Sequence, residues 1–208
     1  MSVITTFVLY FFAFAFIHSL LATDYIKNIA KTKLKGKFRF YRIIYNILSF
    51  LIAAPAFFVW LTSKSLTPLV YNVPGWLSPL LLILRPFAVG LFAYAALQKD
   101  LLEFAGLRQG KSESKLITDG VYRIVRHPLY LAGIILIFTK PEMTLLDLTA
   151  AALVSIYFIT GAYIEERRLV STFGDRYRKY QQEVSMFIPV KWVIKRILAG
   201  FSFFREHS

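Results

Sequence analysis
The sequence predicts an all-α integral membrane protein: a helical bundle with about five transmembrane helices, the last two as a hairpin, plus a C-terminal interfacial amphipathic helix. Three observations carry this expectation. The 208 residues are 57% hydrophobic and 17% aromatic, with a mean hydropathy of +0.55, above the roughly 45–50% apolar usage of soluble domains. The apolar residues fall in runs close to the ~20 residues that a helix needs to cross a ~30 Å hydrocarbon core. The basic residues, which give a formal charge of +13, collect between those runs. A single membrane-embedded domain, 1–208, accounts for the whole. Nucleic acid is not the expected partner, because the Lys and Arg form no single stripe; anionic headgroups and control of topology explain them better. The chain has no cysteine, which excludes disulfides, thiolate metal sites and a protein thiol nucleophile and identifies no compartment.

The first span is Val3–Ala22, whose one strongly polar side chain is His18. No basic residue precedes it and seven follow between Lys27 and Arg42, so it reads as an uncleaved anchor with its N-terminus outside. Ile43–Thr62 is the second span, with Pro55 as a kink tolerated by neighbouring helices. Residues 63–78 carry Pro68, Pro74 and Gly75 with Lys64 as the lone basic residue, the composition of an outer loop, and Trp60 and Trp76 belong at that interface. Pro79–Leu97 is the third span, its Arg85 snorkelling to the headgroups. Residues 99–126 are a second basic connection, on the same side as the first and assigned to the cytoplasm.

Pro128 stands where a helix would start, and Leu129–Phe138 is only about 15 Å of helix at 1.5 Å per residue. With a turn over Thr139–Thr144 and a return over Leu145–Ile164, it forms the hairpin, its crossing short or tilted. Five crossings leave every basic segment, the C-terminus included, on the cytoplasmic side. In Val190–Phe204, Val193, Ile194, Ile197, Leu198 and Phe201 form an apolar face beside Lys191, Lys195 and Arg196, the pattern of a helix lying on the lipid bilayer.

Chemistry-bearing residues concentrate at the cytoplasmic ends of the later helices. There is no glycine-rich phosphate loop and no nucleophile elbow. His18, His127 and His207 are too scattered for a metal site, so none is expected. What remains is Tyr122, His127-Pro128, Tyr130 and the pair Glu165-Glu166, where aromatic faces and carboxylates suit a cationic ligand. Adjacent helix residues point about 100° apart, so one glutamate faces an internal site and the other does not. Each residue also has a plainer reading: His127 as a helix cap, the tyrosines as interfacial belt residues, the glutamates as the point where a helix exits into water. Phe173-Gly174 followed by Tyr177 and Tyr180 reads as a helix end and one face of the next helix.

Taken in order, Gly120, Tyr122, Arg126-His127-Pro128-Leu129-Tyr130, Glu165-Glu166, Phe173 to Tyr180 and Pro189 resemble the membrane methyltransferase family that includes isoprenylcysteine carboxyl methyltransferase and phosphatidylethanolamine N-methyltransferase. Phe104 to Gln109, Pro141 to Thr144, Glu165 to Leu169 and His18-Ser19 are similar to its methanethiol S-methyltransferase branch. The resemblance implies S-adenosyl-L-methionine as cofactor, held by Gln109, Leu116, Ile117, Tyr122, His127, Pro128, Leu129 and Tyr130, with Glu165 or Glu166 on its methionyl part. It implies a small lipophilic methyl acceptor, most simply a thiol such as methanethiol. The chain departs from the pattern after Gln109, where a charged run begins, and at Thr160-Gly161-Ala162, where the carboxyl methyltransferases have an arginine. That departure weakens a carboxylate acceptor. Catalytic residues are not identified: Glu165, Glu166 and His127 qualify as a general base by position alone. The same basic-loop layout also resembles non-catalytic proteins linked to nitric oxide reductase maturation. The sequence sets no oligomeric state.

Overall fold
The computed structural model describes residues 1–99 and 116–206. Its helices are α1 (Val3–Ala22), α2 (Asp24–Leu34), α3 (Tyr41–Ser63), α4 (Ser78–Leu97), α5 (Pro128–Phe138), α6 (Leu145–Phe173), α7 (Asp175–Glu183) and α8 (Val190–Glu206), with two short strands, β1 (Leu69–Asn72) and β2 (Glu142–Thr144). Among the described residues, four helical segments are long and apolar enough to cross a membrane, and α5 is a shorter apolar helix. The protein is an all-α, multi-pass integral membrane bundle. Phe50 (76% exposed), Phe58 (65%) and Ile83 (65%) point outward from α3 and α4, an apolar surface that only a lipid solvent tolerates.

The described residues group into two compact units, 1–81 with 140–157, and 82–99 with 116–139 and the chain from Phe158 onward. In the first, the Ser2 side chain accepts from the Thr5 N–H and starts α1. Thr23 ends α1 and its hydroxyl accepts from the Ile26 N–H to start α2, so one residue caps two helices. The basic connection is therefore helical, followed by a 3-10 turn over Lys35–Phe40. α1 packs along α3, burying Phe7, Phe11, Ala56 and Leu146. Inside this packing His18 meets Tyr45 (2.7 Å) and Ser49 (2.9 Å), and Ser19 meets Tyr157 at 3.1 Å. Polar groups in hydrocarbon demand such partners.

The segment between α3 and α4 is more ordered than a loop with turn punctuation. β1 pairs antiparallel with β2, Tyr71 opposite Met143 and Asn72 opposite Glu142. Thr144 and Asp147 then form a reciprocal capping box at the start of α6: the Asp147 carboxylate accepts from the Thr144 N–H at 3.1 Å while the Thr144 hydroxyl accepts from the Asp147 N–H at 3.2 Å. Trp60 Nε1 donates to the same carboxylate at 2.9 Å and Lys140 pairs with it. Trp60 is thus tied to protein, while Trp76 is 80% exposed.

In the second unit, Arg85 departs from the snorkelling expectation. Its Nε donates to the Thr139 carbonyl at 2.8 Å, the residue that terminates α5, satisfying a carbonyl that the helix end leaves open. The return helix is also longer than Leu145–Ile164, running 29 residues to Phe173. Glu165 and Glu166 therefore lie inside α6, not at its exit. Gly174 adopts φ +56, a left-handed conformation that costs glycine little. It breaks α6 and turns α7 back alongside, burying Tyr177 and Tyr180 with Leu116 and Val184.

Candidate functional site
The stretch before α5 is held as a short parallel bridge, Val125 opposite Ser185. The Arg126 N–H donates to the Ser185 carbonyl at 2.9 Å and the His127 N–H to the Met186 carbonyl at 3.1 Å. His127 is the N-cap residue of α5 with Pro128 at the first helical position, but its side chain makes no cap bond. The imidazole instead turns to α6.

There it meets Glu166, which is 7% exposed. Arg126 grips Glu166 bidentately, Nε to Oε1 at 2.6 Å and Nη2 to Oε2 at 3.0 Å. His127 Nε2 lies 3.1 Å from Oε1, Tyr177 donates its hydroxyl at 3.3 Å and Gln181 Nε2 donates to Oε2 at 2.6 Å. The remaining Arg126 nitrogen donates to the carbonyls of Gln181 and Val184. Both carboxylate oxygens are occupied, and a buried charge survives only with such pairing. This is a clamp that fixes α5, α6 and α7 relative to each other.

One residue earlier, the Glu165 side chain is 30% exposed. Tyr130 donates its hydroxyl to Oε2 at 3.2 Å, His127 Nδ1 lies 3.8 Å from Oε2, and Lys99 Nζ stands 3.9 Å from Oε1. The His127 and Tyr130 rings stack at 5.6 Å with 19° between planes, and Phe158 lies against Tyr130 at 5.3 Å. A partly open carboxylate beside stacked rings can accept the N–H groups of an ammonium or hold a sulfonium against π faces.

Buried phenols lie around the two acids. Tyr122 donates to the Ala95 carbonyl at 3.3 Å and Tyr180 to the Tyr122 carbonyl at 2.5 Å. Burial pushes the phenols of Tyr122, Tyr177 and Tyr180 above their ordinary range, so they stay protonated donors at any physiological pH. Gly120 sits at φ +58, where a Cβ would fall 2.1 Å from the Gln98 side-chain nitrogen. That nitrogen donates to the Asp119 carbonyl at 3.2 Å, while Gln98 Oε1 is buried with no hydrogen-bond partner among the described residues.

The structure thus brings Tyr122, His127, Pro128, Tyr130, Glu165 and Glu166 together and gives the two acids different surroundings, Glu166 buried and fully paired, Glu165 partly open. Pro128 is fully buried, Leu129 and Ile117 are half-buried, and Leu116 packs under Tyr177 and Tyr180. Gln109 lies outside the described residues. Sequence reasoning passed over Arg126 as a site residue, and with it Gln181 and Lys99. Gln181 follows Tyr177 by one helical turn, so the shared face was readable. Arg126 stood inside the motif with nothing to pair it to a residue forty positions on.

The family model described as "NnrU protein" matches residues 6–138, more than half the chain. Methanethiol S-methyltransferase of Pseudomonas deceptionensis is 33% identical over 132 residues, covering 63% of this chain and 49% of that protein. The methanethiol S-methyltransferase of Pseudomonas sp. (strain GM41(2012)) is 32% identical over 157 residues, 71% of this chain and 59% of that one. Protein-S-isoprenylcysteine O-methyltransferase of Schizosaccharomyces pombe is 37% identical over 79 residues, 36% of this chain and 33% of that one. The chain spans only about half the length of the first of these relatives. No solved structure matches it. With a family model covering α1 through α5, the chain belongs to the NnrU protein family.

Proposed function
We propose that the protein is an S-adenosylmethionine-dependent membrane methyltransferase whose acceptor is a small thiol such as methanethiol. The observation that supports it most is the division of labour between the two glutamates. Glu166 is consumed by Arg126, His127, Tyr177 and Gln181, and the clamp holds an adjacent, partly open Glu165 against Tyr130. A saturated buried acid supporting an unsaturated neighbour is the construction of a preorganised binding site. The residues present fit the cofactor: an open carboxylate for the ammonium of its methionyl end, stacked rings for its cationic sulfur, and a buried amide oxygen at Gln98 without a donor among the described residues.

When bound, the cofactor supplies a methyl group on a positively charged sulfur. The chain's task is alignment and exclusion of water, with the acceptor sulfur held about 3–3.5 Å from the methyl carbon. A thiol must lose its proton before or during attack, and a low-dielectric setting favours a step in which an anion and a cation neutralise one another. The thiol reading is supported by the methanethiol S-methyltransferase relatives. The turn before the glutamates, Thr160-Gly161-Ala162, offers no cation to a carboxylate acceptor.

We place the basic connections, the C-terminus and this site on the cytoplasmic side, following the distribution of Lys and Arg. Single cysteines introduced into residues 24–40 and 66–77 of this cysteine-free chain, labelled from either side of the membrane, check the assignment. The reading itself is checked by calorimetric titration of the detergent-purified protein with S-adenosylmethionine, followed by a radiolabelled-methyl screen of methanethiol, hydrogen sulfide, prenylcysteine and phosphatidylethanolamine. Saturable binding and labelled methanethiol product are expected. Absence of binding leaves the accessory-protein reading.

A further inference from the structure
We propose that Lys99 binds the carboxylate of the donor's methionyl end while Glu165 binds its ammonium, the two side chains acting as a clamp for an α-amino acid zwitterion. The inference rests on the methyltransferase reading above and assigns a residue that neither the motifs nor the relatives' names single out.

The geometry is that of a charge pair held open. Lys99 Nζ stands 3.9 Å from Glu165 Oε1, well beyond the 2.7–2.9 Å of a charge-assisted hydrogen bond. Lys99 is about one-third exposed, at 33% against 30% for Glu165, so neither charge is sealed off from a ligand. The other oxygen of Glu165 is already occupied by the Tyr130 hydroxyl, which fixes the carboxylate and leaves Oε1 facing the lysine. The Lys99 ammonium is kept over the Tyr122 ring at 5.8 Å, a cation–π contact that steers it without using its hydrogens. A zwitterion inserted here exchanges one long ion pair for two short ones. An isolated cation or anion would gain only one and break the existing pair, so the arrangement discriminates for ligands carrying both charged groups on one carbon.

A second observation lies one residue away. Gln98 Oε1 is buried without a donor among the described residues, and its orientation is set by the amide nitrogen's bond to the Asp119 carbonyl. Buried acceptors are nearly always satisfied. A ligand N–H at the end of α4 would satisfy this one.

The experiment compares two probes that share the nucleoside and thioether but differ at the clamp: S-adenosylhomocysteine, which carries the amino acid end, and 5′-methylthioadenosine, which lacks it. Calorimetry on the full chain in detergent is expected to show Lys99→Met weakening S-adenosylhomocysteine by about 10- to 100-fold, the worth of a hydrogen bond to a charged group. Methylthioadenosine affinity is expected to stay within a factor of about three of wild type by the same arithmetic, which also shows that the variant is folded, and Lys99→Arg restores most of the loss. An unchanged ratio of the two affinities in Lys99→Met overturns the clamp and leaves the methyltransferase reading standing. Failure of the wild type to bind either probe overturns both.

Discussion
Glu166→Ala is expected to remove about 3–5 kcal/mol of stability, the cost of stranding a buried charge by deleting its partner. Four side chains converge on that carboxylate, Arg126, His127, Tyr177 and Gln181, and they arrive from the start of α5, from the stretch before it and from α7. Removing the acceptor leaves the Arg126 guanidinium, with a side chain 9% exposed, facing only the carbonyls of Gln181 and Val184. Against a total of roughly 5–15 kcal/mol for a folded domain, the loss is a large fraction. Arg126→Ala should cost a similar amount. The double variant should cost clearly less than the sum, because residues in one network do not add. Thermal unfolding in detergent, followed by light scattering or by the fluorescence of the three tryptophans, measures all three; thiol-reactive dyes have no native cysteine to report on. A wild-type midpoint for Glu166→Ala would show that the clamp carries no stability.

How far this was legible in the sequence depends on the range of the interaction. The spans are local: twenty apolar residues in a row need no partner to be recognised, and α1 occupies Val3–Ala22 as the hydropathy requires. Pro128 announced the start of α5 and Gly174 the end of α6 for equally local reasons, a ring compatible with the first helical turn and a residue at ease at positive φ. The helicity of α2 was also local and was passed over: Thr23 as cap with Ile26, Ala30 and Leu34 four apart is an amphipathic signature that the lysines obscured. Long-range pairings were not legible. β1 and β2 are four and three residues long and some seventy positions apart, too short for alternation to show. Arg85 on the Thr139 carbonyl depends on how α4 meets α5. The rotation of α6 is the decisive case: consecutive residues differ by about 100° in direction, and nothing in Glu165-Glu166 as a string says which one meets Arg126. Only the fold distinguishes the structural acid from the available one.

That distinction is tested by the complementary substitution. Glu165→Gln is expected to leave stability within about 1 kcal/mol of wild type, because its contacts are those of a partly exposed ion pair, which contribute roughly 0–1 kcal/mol, with one hydroxyl bond from Tyr130 that an amide oxygen still accepts. Binding of S-adenosylmethionine should nevertheless fall about 10- to 100-fold, since the charge that answers the ligand's ammonium is gone while the shape remains. The two acids therefore predict opposite profiles. One variant loses much of its stability and takes binding with it, and the other keeps its stability and loses binding alone. Calorimetry and thermal unfolding on the same preparations separate them. Glu165→Gln binding S-adenosylmethionine as tightly as wild type would remove Glu165 from the site. The stacked rings of His127 and Tyr130 would then be the groups left to hold a cationic sulfur, with affinity that should respond to Tyr130→Leu and be insensitive to the amino acid end of the ligand.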